Sequence, residues 1–222
     1  AALERERTNL SRYFSPRVVE SLSHKDEPLK ETREHEVAVL FVDIEGFTGL
    51  AAGLPPGDVI EVLRRFHAIV EGRVFAHDGT LDKFLGDGAM ATFGTPEPGP
   101  RDVSNALEAV RAMIAALAEW NDERAAAGEA PVRVRFGLHY GAVVLGDIGA
   151  TQLEFAVIGH TVNVASRLES LTRELGVTLV LSDALRAKAL ACGAEALLDG
   201  TEPRGAQQIR GLDEAVTVWV LP

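Results

Sequence analysis

Two carboxylates stand at the ends of apolar segments, each beside glycine. Asp43 closes the run Val37-Ala38-Val39-Leu40-Phe41-Val42 and is followed by Ile44-Glu45-Gly46-Phe47-Thr48-Gly49. Asp87 lies in Lys83-Phe84-Leu85-Gly86-Asp87-Gly88, at the tip of an expected β-hairpin. One such acid alone more often caps a turn. Two of them on neighbouring strand ends suit a pair of Mg²⁺ ions, which take hard oxygen ligands and hold a nucleoside triphosphate by its phosphates. The Ile44 carbonyl offers a further oxygen. On the small, flexible turn that follows, the N–H groups of Gly46, Phe47 and Thr48 can form a nest for phosphate oxygens. Glu45 and Asp82 are expected to be solvated or structural.

An amide and a guanidinium recur in Thr161-Val162-Asn163-Val164-Ala165-Ser166-Arg167-Leu168-Glu169. On a helix Asn163 and Arg167 share one face. Arginine offers a planar cationic fork for phosphate, and asparagine a neutral donor and acceptor for a sugar oxygen. The spacing is common by chance, so a solvated helix face is the plain alternative. No histidine spacing suggests a zinc site, and His139 and His160 are expected to be structural or solvated.

The elements that must position these groups follow a regular order. Periodicity predicts a strand over 37–42 and a helix over 57–75, with Val59, Leu63, Phe66, Ile69 and Val74 on its inner face. Strands over 80–85 and 89–93 follow, then a helix over 102–126 with Leu107, Val110, Ile114, Leu117 and Trp120 inward, and a strand over 132–138. This βαββαβ order specifies an α+β fold with a ferredoxin-like core, in which helices pack on one face of a mostly antiparallel sheet. Strands over 142–147, 154–158, 177–181 and 215–220, with a helix over 161–175, extend it C-terminally. Residues 1–36 are charge-rich, with scattered apolar points such as Leu3, Leu10, Phe14 and Val18. They read as an N-terminal linker helix that transmits a signal, leaving 37–222 as the main domain.

A net charge of −11 over 222 residues argues against nucleic acid or anionic lipid as partners. An anionic substrate would then need metals or local cations. The single Cys192 excludes an internal disulfide and a cysteine metal cluster, and fits a reducing cytosol. No apolar run reaches the length of a membrane span. The expectation is a cytoplasmic domain with an upstream sensory or membrane part outside this chain.

Three motifs occur in order at coherent spacing: Phe41-Val42-Asp43-Ile44-Glu45-Gly46-Phe47-Thr48, Lys83-Phe84-Leu85-Gly86-Asp87-Gly88, and Val157-Ile158-Gly159-His160-Thr161-Val162-Asn163-Val164-Ala165-Ser166-Arg167-Leu168-Glu169. Together they resemble the catalytic domain of class III nucleotidyl cyclases, most closely the bacterial adenylyl cyclases. Arg12-Tyr13-Phe14-Ser15-Pro16 resembles the lead-in of bacterial members. The resemblance implies that Asp43 and Asp87 bind two Mg²⁺ ions, for which Mn²⁺ can substitute. It implies that Asn163 orients the ribose and Arg167 stabilises the pentavalent phosphorus, and that Lys83 reads the purine. Arg210 falls where the family places a basic residue near the triphosphate. It further implies a homodimer in which one subunit supplies the metal acids and the other the purine and phosphorus residues.

The implied reaction is attack of the ribose 3′-oxygen of ATP on the α-phosphorus, giving cyclic AMP and pyrophosphate. One position departs from the pattern: Ala156 stands where adenylyl cyclases carry Asp or Thr to accept from the adenine amino group. A missing acceptor weakens base discrimination. Cyclisation of GTP, or of both purines, therefore stays open. So does a cyclase-like dimer that binds nucleotide without turnover. A palm enzyme making cyclic dinucleotides is disfavoured, because its Gly-Gly-Asp/Glu-Glu-Phe turn is absent.

Overall fold

The computed structural model describes residues 33–148, 154–212 and 214–222. Its architecture follows from the alternation along β1 (Arg33–Ile44). Ala38, Leu40, Val42 and Ile44 face one core, while Val37, Val39 and Phe41 face another. Successive strand side chains point to opposite faces, so both sides of this sheet are covered.

The first core is closed by α2 (Pro56–Ala76) and α3 (Asp102–Ala126), which follow a short α1 (Phe47–Ala52). On α2 the buried stripe is Val62, Phe66, Val70 and Val74, each one turn from the next. The expected face was centred a little to one side, since Leu63 and Ile69 pack only partly against this core. Strands β2 (Thr80–Leu85) and β3 (Gly88–Phe93) form the hairpin beside β1.

Strand β4 (Val134–Ile148) runs unbroken where two strands are expected. Gly141, in the gap between the two expected strands, allows a close approach within the continuous strand. A Cβ there would lie 2.7 Å from Thr161 Oγ1. Beyond β4 come β5 (Glu154–Ile158), α4 (His160–Leu175), β6 (Leu179–Ser182), α5 (Asp183–Ala191), a 3₁₀ turn at Glu195–Leu198, β7 (Glu202–Gln207) and β8 (Val216–Leu221). The sheet order is β2-β3-β1-β4-β6-β8-β7, with β5 paired to β4. The β4–β6 pair is parallel and the other pairings are antiparallel.

The fold is the expected α+β arrangement with one difference of layering. Helix α4 covers the second face of the sheet, through Val162 and Ala165 against Val37, Val39 and Val143, and through Val164, Leu168 and Leu171 against Val180, Val218 and Val220. Its seat is Gly137 on β4, where a Cβ would meet Glu169 N at 2.2 Å and Ala165 O at 2.5 Å. The linker helix expected before β1 falls largely on residues 1–32, outside the described residues; β1 itself begins at Arg33.

Candidate active site

The acid pair forms where β1, β3 and β4 end together. Asp43 is opposite Gly88 on β3 and opposite Arg135 on β4, and Ile44 N–H donates to the Asp87 carbonyl at 3.1 Å. Gly88 leaves the space that the Asp43 carboxylate fills: a Cβ there would be 2.9 Å from Asp43 Oδ1. Asp43, Ile44 and Asp87 are thus brought together. The Ile44 side chain is buried in the core, so only its backbone is available for ligation.

Gly46 adopts a left-handed conformation (φ 65°, ψ 27°) and turns the chain into α1. That helix starts with no side-chain cap, and its hydrogen bonds begin with Gly49 and Leu50 N–H donating to Gly46 O. The N–H groups of Phe47 and Thr48 belong to the first turn, whose donors have no intrahelical acceptor. The expected flexible turn is therefore a helical one, and the anion-facing geometry proposed for these residues is that of a helix start.

Electrostatics mark the acid pair. The Asp43 carboxyl is pushed up to about 7, first by burial and then by the charges of Asp87 and Glu169, against a smaller opposing effect of Arg173. Burial likewise raises Glu169. These groups fit a hard divalent cation: clustered carboxylates whose burial and mutual repulsion outweigh the nearby Arg173 charge. Among the described residues no three His, Cys, Asp or Glu side chains converge as a closed metal cage. Two carboxylates and backbone oxygen, completed by phosphate and water, is a donor set that Mg²⁺ accepts.

A stability prediction follows from the raised carboxyl. Between about pH 4 and pH 7 the folded chain holds a proton on Asp43 that the unfolded chain has released. Without metal, stability should therefore fall as pH rises through that window, and Mg²⁺ should restore it most above pH 7. Asp43→Asn should remove much of the metal-free fall and all of the Mg²⁺ rescue. Thermal unfolding midpoints from pH 4 to pH 8.5, with and without Mg²⁺, check this; a wild-type midpoint that rises through the window contradicts it.

Asn163 and Arg167 lie on the exposed face of α4, while Thr161, Val164, Ala165 and Leu168 bury the opposite side. Arg210 sits on an exposed turn closed by Leu212 N–H donating to Ile209 O at 3.1 Å. Ile209 and Leu212 anchor this turn under α4, and a Cβ on Gly211 would come within 3.9 Å of Arg167 Nη2. The structure therefore brings Arg167 to the Arg210 turn. The charges that move Asp43 come instead from Asp87, Glu169 and Arg173.

Lys83 and Ala156 lie on β2 and β5, strands that do not pair with each other. Lys83 Nζ is 3.4 Å from Asp82 Oδ2, and the Asp82 side chain is only 4% exposed. Asp82 occupies a bulge between Leu81 and Lys83, which explains its burial on an edge strand. Glu45 pairs with Arg135. Both acids have structural roles, and Asp82 is not solvated. His139 is held neutral, lowered to about 4 by burial and by His160, with Nδ1 2.7 Å from Ser182 Oγ.

Sequence reasoning missed Arg135. Its guanidinium reaches Glu45 and donates to the carbonyls of Thr172 (2.8 Å) and Val177 (3.0 Å), tying the acid-bearing end of β1 to the end of α4. Nothing in the local sequence signals this, because the partners are 90, 37 and 42 residues away.

Residues 29–221 match the model of the adenylate and guanylate cyclase catalytic domain. The chain belongs to this family. Over 154 residues, or 69% of the chain, it is 35% identical to adenylate cyclase 1 of Rhizobium meliloti, of which it covers 23%. The cyclase domain thus spans about a quarter of that relative's length. A bacterial light-regulated adenylyl cyclase superposes with a TM-score of 0.82 at 26% identity, covering 99% of this chain and 62% of that one. The guanylyl cyclase Cya2 superposes with a TM-score of 0.71 at 28% identity, covering 85% and 92%. Both kinds of cyclase are therefore similar to this cyclase domain.

Proposed function

We propose that this domain converts ATP to 3′,5′-cyclic AMP and pyrophosphate at sites shared between two copies of the chain. The observation that carries the reading is the meeting of Asp43 and Asp87 at the sheet end, with the Asp43 carboxyl raised by burial and by its neighbours' charge. Asp43, Asp87 and the Ile44 carbonyl would hold two Mg²⁺ ions, or Mn²⁺ in their place. When bound, these ions supply a lowered pKa for the 3′-hydroxyl and neutralisation of the triphosphate.

The chain's own residues do the rest. Arg167 faces the charge that develops on the α-phosphoryl oxygens, and Asn163 orients the ribose. Arg210 holds the triphosphate, with the N–H groups of Gly46, Phe47 and Thr48 as further donors. Lys83 donates to a purine acceptor, N1 of adenine or O6 of guanine. No side chain is assigned as general base.

Two clusters within one chain support the shared arrangement. The acids gather with Glu169 and Arg173, whereas Arg167 gathers with the Arg210 turn. Members of this family work as dimers, and pairing two chains lets one chain's acids face the other's cations. An upstream sensory or membrane part would supply regulation, and use of ATP would fit a cytoplasmic domain.

The Ala156 methyl favours a second reading in which GTP is also cyclised, since it accepts no hydrogen bond from the adenine amino group. Purified chain offered ATP and GTP separately, in Mg²⁺ and then Mn²⁺, decides between them. Cyclic AMP in excess supports the proposal; cyclic GMP in excess replaces it with the second reading. Nucleotide binding by a dimer without either product makes the domain a binding module.

A further inference from the structure

The β2–β3 tip carries two functional side chains four residues apart, Lys83 and Asp87. In the shared arrangement they serve different sites, so the tip must be held still for both. On its outer side Phe84 and Leu85 are 38% and 48% exposed, and Gly86 takes a left-handed φ of 73°. Little of the tip is held by burial. A side chain from outside the hairpin grips it. His67 of α2 places Nε2 3.1 Å from the Gly86 carbonyl and stacks its ring on Phe84, with centroids 3.9 Å apart and planes 21° from parallel. The next residue after Gly86 is the acid itself. The preceding residue, Phe66, is fully buried and anchors this turn of α2 in the core.

We infer that His67 is the positioning residue for this tip, acting on Asp87 through the Gly86 carbonyl and on Lys83 through Phe84. A carbonyl accepts, so Nε2 carries the proton and donates. Groups that orient a metal-binding residue from outside commonly govern metal affinity by an order of magnitude or more. The inference rests on the proposed metal role of Asp87, and its test separates the two.

The test uses three variants of the full chain: His67→Ala, which removes both contacts; His67→Gln, whose amide can donate to Gly86 O; and His67→Phe, which can only stack. Mn²⁺ binding is titrated by electron paramagnetic resonance, alongside the ATP-to-GTP rate ratio and the unfolding midpoint. His67→Ala is expected to weaken Mn²⁺ binding about tenfold and to shift the purine ratio. His67→Gln should recover most of the Mn²⁺ affinity, and His67→Phe most of the purine ratio. Unchanged Mn²⁺ affinity and purine ratio in His67→Ala, whatever its midpoint, overturn the inference, as does equal loss in all three variants. If wild type binds Mn²⁺ but makes no cyclic product, the proposed activity fails while the Mn²⁺ titration still decides the role of His67. If Asp87→Ala binds Mn²⁺ like wild type, the metal role and this inference fall together.

Discussion

Asp43→Ala and Arg167→Ala chains should each be nearly inactive alone, and an equimolar mixture should recover about a quarter of wild-type activity. The first substitution removes a ligand for charge-neutralising metal and should cost at least about a thousandfold, because several kcal/mol of transition-state stabilisation disappears. The second removes the cation aimed at the developing phosphoryl charge, a loss of about a hundred- to a thousandfold. Random pairing makes about half of the dimers mixed, and each mixed dimer has one intact site of two. The control is a chain carrying both substitutions, mixed with wild type, in which no new intact site arises beyond those of wild type itself. The measurement is cyclic nucleotide formed per minute after denaturation and joint refolding, with mixed dimers verified by mass. Mixed dimers without recovered activity rule out the shared site and leave each chain to supply its own acids and cations.

The second large effect concerns the seat of α4. Gly137→Ala would place a methyl 2.2 Å from Glu169 N and 2.5 Å from Ala165 O, both backbone atoms that no rotamer change can move. The helix must lift from β4 or the strand must bend. Such overpacking costs about 3 kcal/mol or more, which for a domain of this size lowers the unfolding midpoint by about 6–12 °C. Activity should fall further than stability, because lifting α4 moves Asn163 and Arg167. The comparison is Gly72→Ala on α2, where nothing lies within 4 Å of the new Cβ. In a helix interior it should stabilise by about 0.5–1 kcal/mol. A Gly137→Ala chain as stable and active as wild type would show that the helix is not seated on this glycine.

The core was readable because its elements are amphipathic over several turns or strands. Leu107, Val110 and Trp120 on α3 and the alternating residues of β1 report their burial directly in their spacing. Strand β7 carries no such record: in Glu-Pro-Arg-Gly-Ala-Gln the first five residues are exposed and none is buried, with Pro203 on an edge strand. Helix α5 did carry a signal, the Ser182 side chain accepting from Leu185 N–H at 3.2 Å, but a single cap is short evidence. The gap expected between residues 138 and 142 is absent, because Gly141 serves a close approach within one continuous strand. At the site, Asp43 and Asp87 were legible from their glycine neighbours. Arg135 and His67 were not, because each works through partners brought near only by the fold.

Strand β8 lies between β6 and β7, so the last element of the domain in chain order is an interior strand of the sheet. Its Val218 and Val220 complete the apolar layer beneath α4, and among the described residues β7 pairs with no other strand. During synthesis the sheet can therefore assemble from β2 through β6, with α4 on its β4 seat, while part of the floor under α4 is still missing. The apolar layer beneath Val164, Leu168 and Leu171 closes only when β8 emerges and inserts. A nascent chain halted before Val216 would hold the acid pair on a formed sheet and leave the helix that carries Asn163 and Arg167 with part of its apolar underside uncovered.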